Sequence, residues 1–202
     1  MLAAPNRDRQ TERREATRAE ILDAAWAVAK EKGLAALTLR DVAVAVGMQA
    51  PSLYSYFASK NAIYDAMFGQ AWSEFLAVAK TVKLPKSPRA ALKVAACSFF
   101  DFAIAEPARR QLMNERTIPG FVPSAESYAP AVEVLEFSRT TLAQLGVTRA
   151  DDFDLYIAII GGLINAQQAN DPGGDRWARL LDRAMDMFAD HVGLPGSTRR
   201  TR

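Results

Sequence analysis

Apolar residues return at intervals of three and four along nearly the whole chain, and almost nowhere do they alternate at the period of two that a half-buried strand requires. That spacing places one apolar stripe on each successive helix, so it confines the chain to an all-α fold. Thr17 followed by Glu20 reads as a capping box opening a first helix, with Ile21, Ala24, Ala25 and Val28 on one face and Gly33 at its end. Thr38 with Asp41 opens a second, with Leu39, Val42, Ala43 and Val46 along its inner face until Gly47 stops it. The run QAPSLYSYF then places Pro51 in a first helical turn, and Ser59 caps a fourth helix reaching to about residue 80 with Ile63, Met67 and Trp72. Further helices are expected over 90–105, 108–115, 129–145, 153–170 and 176–192, separated by Pro107, the segment TIPGFVPSAESYAP, Gly146 and NDPGGD.

At 202 residues with half of them hydrophobic, such helices can bury a real core. The single cysteine, Cys97, excludes an internal disulfide framework and fits a reduced cytoplasm. Charge enters the N-terminal stretch before any apolar run could form a signal peptide. The longest apolar stretch, 155–166, falls short of the ~20 residues a membrane span needs, so no membrane partner is expected. The net charge of +2 is unevenly spread, with basic ends and an acidic middle, which suits an end that meets phosphate and a body that does not.

Residues 38–57, TLRDVAVAVGMQAPSLYSYF, have the anatomy of a helix-turn-helix. Two helices that cross steeply must approach closely, which favours the small Ala43. Gly47 takes the turn, and Val42, Val46, Leu53 and Phe57 fill the shared core. The other face of the second helix then offers Gln49, Ala50, Pro51, Ser52, Ser55 and Tyr56 to a major groove.

These residues resemble the TetR-like regulators over about 15–68, through ILDAAWAVAKEKG, the Thr38 cap, the Gly47 turn, SLYSYF and SKNAIYDAMF. The sequence itself carries no phosphate-loop or dinucleotide fingerprint, so no cofactor and no enzymatic activity are expected. The resemblance implies a nine-helix fold in two domains, a homodimer on palindromic double-stranded DNA, and a C-terminal domain that senses a small molecule. On that basis the chain divides into a flexible basic arm at 1–16, a helix-turn-helix domain at 17–62, an effector-binding and dimerisation domain at 63–194 and a disordered basic tail at 195–202. The resemblance places phosphate contacts on Thr38, Ser52, Tyr56 and Lys60, and base-facing positions on Arg40, Gln49, Ala50, Pro51 and Tyr54. Lys60 stands in a first helical turn, where a cation opposes the dipole and a phosphate would give it a purpose. Gln49 departs from the family, which usually has Ser or Thr there as a cap. The arm with Arg7, Arg9, Arg13 and Arg14 could enter a minor groove or remain solvated.

In the larger domain Trp72, Phe75, Phe99, Phe100, Phe102, Met113 and Phe121 are candidates to line an effector cavity, although aromatics at helical spacing also build cores. Arg109, Arg110 and Arg116 could meet an anionic effector or simply be solvated. The helices at 153–170 and 176–192 are apolar on more than one face, and the resemblance assigns them to a four-helix dimer interface through Leu155, Ile159, Ile160, Leu163, Ile164, Leu180, Leu181, Met185 and Phe188. Gly161–Gly162 reads as close helix packing. Asp151, Asp152 and Asp154 fit helix-start charges better than a metal site, and Cys97 with His191 lacks any supporting catalytic motif. Two readings stay open: a repressor released from its operator by an effector, and a helical ligand-binding or interaction protein whose helix-turn-helix no longer binds DNA.

Overall fold

A computed structural model describes residues 9–196, and those residues form nine α-helices and one 3₁₀ turn with no strand among them. The first four helices are α1 (Arg9–Lys32), α2 (Leu39–Val46), α3 (Ala50–Leu53) and α4 (Lys60–Thr81). The body adds α5 (Pro88–Ala105), α6 (Pro107–Asn114), α7 (Ala125–Leu145), α8 (Ala150–Asn170) and α9 (Leu181–His191), with the 3₁₀ turn Ala178–Leu180 leading into α9.

Local chemistry explains most of the boundaries. Thr38 caps α2 by accepting from the Asp41 amide at 3.1 Å. At the other end Gly47 takes φ 73°, and the amides of Gly47 and Met48 donate back to Val44 and Ala43 at 3.1 and 2.8 Å, a Schellman closure that needs a residue free of a Cβ. Ser59 caps α4 by accepting from Ala62. Gly146 closes α7 in the same way as Gly47 closes α2.

Three boundaries differ from the reading of the sequence. Helix α1 already runs from Arg9, so Thr17 is not its cap; the Thr17 hydroxyl instead donates to the Arg13 carbonyl inside the helix. Arg9, Arg13 and Arg14 are therefore helical rather than part of a flexible arm, while Arg7 and the tail from 197 lie outside the described residues. Helix α7 begins at Ala125 and carries Pro130 inside it, where a separator was expected. The expected domain boundary between 62 and 63 falls within the unbroken α4, whose Ile63, Tyr64 and Met67 belong to the core of the head; the Tyr64 hydroxyl donates to the Leu34 carbonyl.

Two apolar cores result. One joins α1, α2, α3, α4, α6 and the first half of α7; the other joins α5, α8 and α9 with the end of α7. Arg89 and Lys93 on α5 fasten the second, pairing with Asp190 and Asp186 of α9 at 2.5 and 2.8 Å.

The early start of α7 has a clear cause. Asp65 of α4 accepts from the Ser124 amide, the Ser124 hydroxyl and the Ser127 hydroxyl at 2.7, 2.8 and 2.8 Å, and Ser124 in turn caps α7 through the Ser127 amide. This anchorage fixes the first turn and offsets the amide missing at Pro130. Partial burial pushes the Asp65 carboxyl up, but the three donors outweigh it and hold it below the usual carboxylate range. A depressed folded value means stability that is present above the unfolded value and lost as pH falls through the folded one. Asp65→Asn is expected to cost about 1–2 kcal/mol at neutral pH, after allowance for solvent screening at this half-buried site. In denaturant titrations the gap between the wild type and this variant should close below about pH 4.

Candidate nucleic-acid interface and cavity

The second helix of the helix-turn-helix is a single turn of four residues and does not stabilise itself. Gln49 stands at its N-cap without a side-chain cap bond, as its departure from Ser or Thr foreshadowed. Its far end is held from α1: Arg14 donates to the Ser55 carbonyl and Arg18 to the Tyr56 carbonyl, both at 2.5 Å. The two guanidinium groups also lie over rings, Arg14 5.0 Å from the centre of Tyr56 and Arg18 4.2 Å from that of Phe57. A basic pair four residues apart thus neutralises the negative end of α3 from outside. Arg14, one of the residues weighed for a minor-groove arm, has this intramolecular partner.

On this support, Gln49, Pro51, Ser52 and Tyr54 are exposed along one face, while Leu53 and Phe57 are buried below. Ala50 and Tyr56 are half-buried against the core, so both are less open to a groove than the sequence suggested. Thr38 and Arg40 are exposed on α2. The Thr38 hydroxyl donates to the Asp41 carboxylate at 2.6 Å, and Lys32 pairs with the same carboxylate at 2.8 Å. The Lys32 hydrogen bond, then that of Thr38, lowers the Asp41 carboxyl, and Lys32 is raised in return. Lys60 is half-buried and donates to the Ala35 carbonyl at 3.0 Å, with Tyr64 beneath it. That gives this cation a local purpose in addition to any phosphate. Val44, not singled out in the sequence, is 73% exposed on α2 beside this face.

The body holds a partly open cavity of about 510 Å³ between α4, α5, α6, α7 and α8. Of the expected lining residues, Trp72, Phe75, Phe99 and Met113 are in its wall. Phe100, Phe102 and Phe121 are not. Phe100 is buried in the second core, Phe102 packs on Phe75 with ring centres 5.1 Å apart, and Phe121 packs on Tyr64 at 5.7 Å. Helical spacing shows that such rings face inward but not which of two neighbouring interiors they enter. The wall also contains Phe68, Tyr128 and Tyr156, which the sequence did not flag, and Ile160 and Ile164, which it assigned to a dimer interface.

Ile160, Ile164, Leu181, Met185 and Phe188 are all buried within their own chain, so they are unavailable to a partner. Leu155 and Leu180 are exposed, Ile159 and Leu163 half-exposed, and Met187 joins them on the outer surface. No neighbouring atom lies within 4 Å of a Cβ placed on Gly161 or Gly162, so neither marks close packing inside the chain. Arg109 pairs with Glu74 at 2.8 Å and stacks near Trp26 and Phe102, while Arg110 pairs with Glu115 at 2.6 Å. Cys97 bonds to Asp101 and His191 pairs with Asp152, so the two residues weighed as a dyad have separate partners. Partial burial, then Asp101, pushes the Cys97 thiol up to about 11. Among the described residues no group of three or more metal-ligating side chains could hold an ion, and no helix is long and apolar enough to cross a membrane.

A three-helix head with an exposed helix-turn-helix face, set on a helical body with a partly open cavity, defines a helix-turn-helix DNA-binding protein with a separate helical body. Residues 21–67 match the family model of bacterial regulatory proteins, tetR family, so the head is a TetR-type DNA-binding domain. No curated protein matches it in sequence. Among solved structures, it is similar to a protein of unknown function from Rhodococcus sp. RHA1 (TM-score 0.74, 17% identity, 89% of this chain and 95% of that one). It is also similar to the fatty acid degradation regulator FadR from Bacillus halodurans (0.70, 14%, all of both chains). A third is the TetR family transcriptional regulator PfmR from Thermus thermophilus (0.61, 19%, 83% and 96%). At these identities the likeness is one of fold.

Arg18→Ala is expected to lower the stability of the head by about 1–3 kcal/mol, because it removes a charged donor and a stacked cation together. Arg18→Lys should recover little of it, since an ammonium cannot keep both the bond and the planar stack. Thermal unfolding followed by circular dichroism checks both.

Proposed function

We propose that the protein is a homodimeric repressor that leaves a palindromic operator when a small molecule enters the cavity of its body. The observation that carries this reading is that α4 serves both ends: Ile63, Tyr64 and Met67 pack in the head, and Phe68, Trp72, Phe75 and Ala79 of the same helix stand in the cavity wall. Helix α6 adds a second tie, with Arg109 against Trp26 of α1 and the adjacent Arg110 in the wall. An occupant that shifts either helix would move the head of each subunit. Two heads must match major-groove sites about one turn, ~34–36 Å, apart, so a small displacement separates binding from non-binding states.

Base reading falls to Gln49, Pro51, Tyr54 and Arg40, with phosphate contacts from Thr38, Ser52, Tyr56 and Lys60. The dimer is assigned to the outer faces of α8 and α9, through Leu155, Ile159, Leu163 and Leu180 with Met187. Gly162, exposed and without a side chain, would let a partner helix approach closely. The domains meet within α4 rather than before it.

Footprinting on the DNA flanking the gene should reveal a protected palindrome. Protection absent from that DNA, with ligand binding intact, would favour a helical binding protein that no longer reads DNA. Gln49→Ala, Arg40→Ala and Tyr54→Ala should each shift base preference, by about 1–3 kcal/mol at the affected position, whereas Lys60→Ala should weaken all sequences alike. Leu155→Arg should give a monomer in sedimentation equilibrium at micromolar concentration where the wild type is a dimer; a wild-type monomer would sink the dimer.

A further inference from the structure

The chemistry of the cavity wall narrows its occupant, on the reading that this cavity is the effector site. Three charged residues line it, Lys80, Arg110 and Glu115, and each has its counter-ion in place. Arg110 holds Glu115 at 2.6 Å and donates to Asn165 at 2.8 Å. Lys80 is half-exposed and pairs with Glu133 at 2.7 Å. No charge in the wall is left for a ligand to neutralise, and a charged group buried without a counter-ion is strongly disfavoured. Tyr156, buried in the same wall, has its hydroxyl pushed up by burial and stays a neutral phenol.

The Trp72 indole Nε1, the Ser98 hydroxyl and the Arg110 Nε have no accessible surface, so they lie behind the wall and offer a ligand no donor. The rest of the wall is mainly aromatic and aliphatic, and its volume of about 510 Å³ is that of a small-molecule site.

We infer that the effector is an uncharged, largely apolar small molecule, neither a carboxylate nor a cation. Its apolar body meets the aromatic and aliphatic wall, and Glu115 keeps Arg110 from drawing in an anion.

A head-group series on one chain length tests this: methyl octanoate, octanoate and octylammonium, titrated into the full chain by isothermal calorimetry at neutral pH. The ester should bind at least about tenfold more tightly than either ion. Glu115→Gln, which leaves Arg110 unpaired, should raise octanoate affinity by about tenfold and reverse the order. Gly161→Leu, whose added side chain would occupy the cavity, should abolish ester binding with the helical content unchanged. Octanoate or octylammonium binding as tightly as the ester would overturn the chemistry while leaving the cavity as the effector site. Loss of all three ligands, or ester binding undiminished in Gly161→Leu, would overturn the cavity assignment as well.

Discussion

Helix α4 is buried at Ile63, Tyr64, Met67, Phe68, Ala71, Trp72, Phe75 and Leu76, a pattern that repeats every four residues rather than every 3.6. Each step of four advances about 40° beyond a full turn, so the buried stripe winds through about 120° from Ile63 to Phe75. A single helix therefore faces the head at one end and the cavity at the other. The two ends of the molecule share one unbroken helix, and Asp65, near its head end, pins the start of α7 to it. Without that helix neither the head nor the cavity closes: it supplies the floor of one and a wall of the other.

Where the chain's own neighbours decide a boundary, the sequence was readable. Thr38, Gly47, Ser59 and Gly146 each act within four residues of themselves, and the helix-turn-helix between Thr38 and Phe57 follows from them. Boundaries set by distant residues were not readable. Pro130 looks like punctuation because the compensation for it comes from Asp65, far away in the chain. Thr17 and Glu20 look like a helix start because an i, i+3 pair has the same spacing at a cap and in mid-helix; Arg14 and Arg18, which reach Ser55 and Tyr56, draw the helix further toward the N-terminus.

The same distinction runs through the candidate sites. The exposed face of α3 could be deduced because Leu53 and Phe57 settle which side is inward. The faces of α8 and α9 could not be apportioned, since residues such as Ile159 and Ile160 are adjacent and equally apolar, and only the neighbouring helices decide that the second is enclosed. Phe100 and Phe102 were misassigned for the same reason: two interiors lie on opposite sides of α5. The electrostatic neutrality of the cavity was invisible in the sequence, because Arg110 and Glu115 meet only where α6 ends.

The one-turn helix α3 takes its rigidity from α1. Because Arg14 and Arg18 grip the Ser55 and Tyr56 carbonyls and the rings of Tyr56 and Phe57, the hold on its far end does not pass through the side chains of Gln49, Pro51, Ser52 and Tyr54. Substitutions at the exposed Gln49, Ser52 and Tyr54 can therefore accumulate with little effect on stability, so the surface presented to DNA can drift while the scaffold beneath it stays fixed.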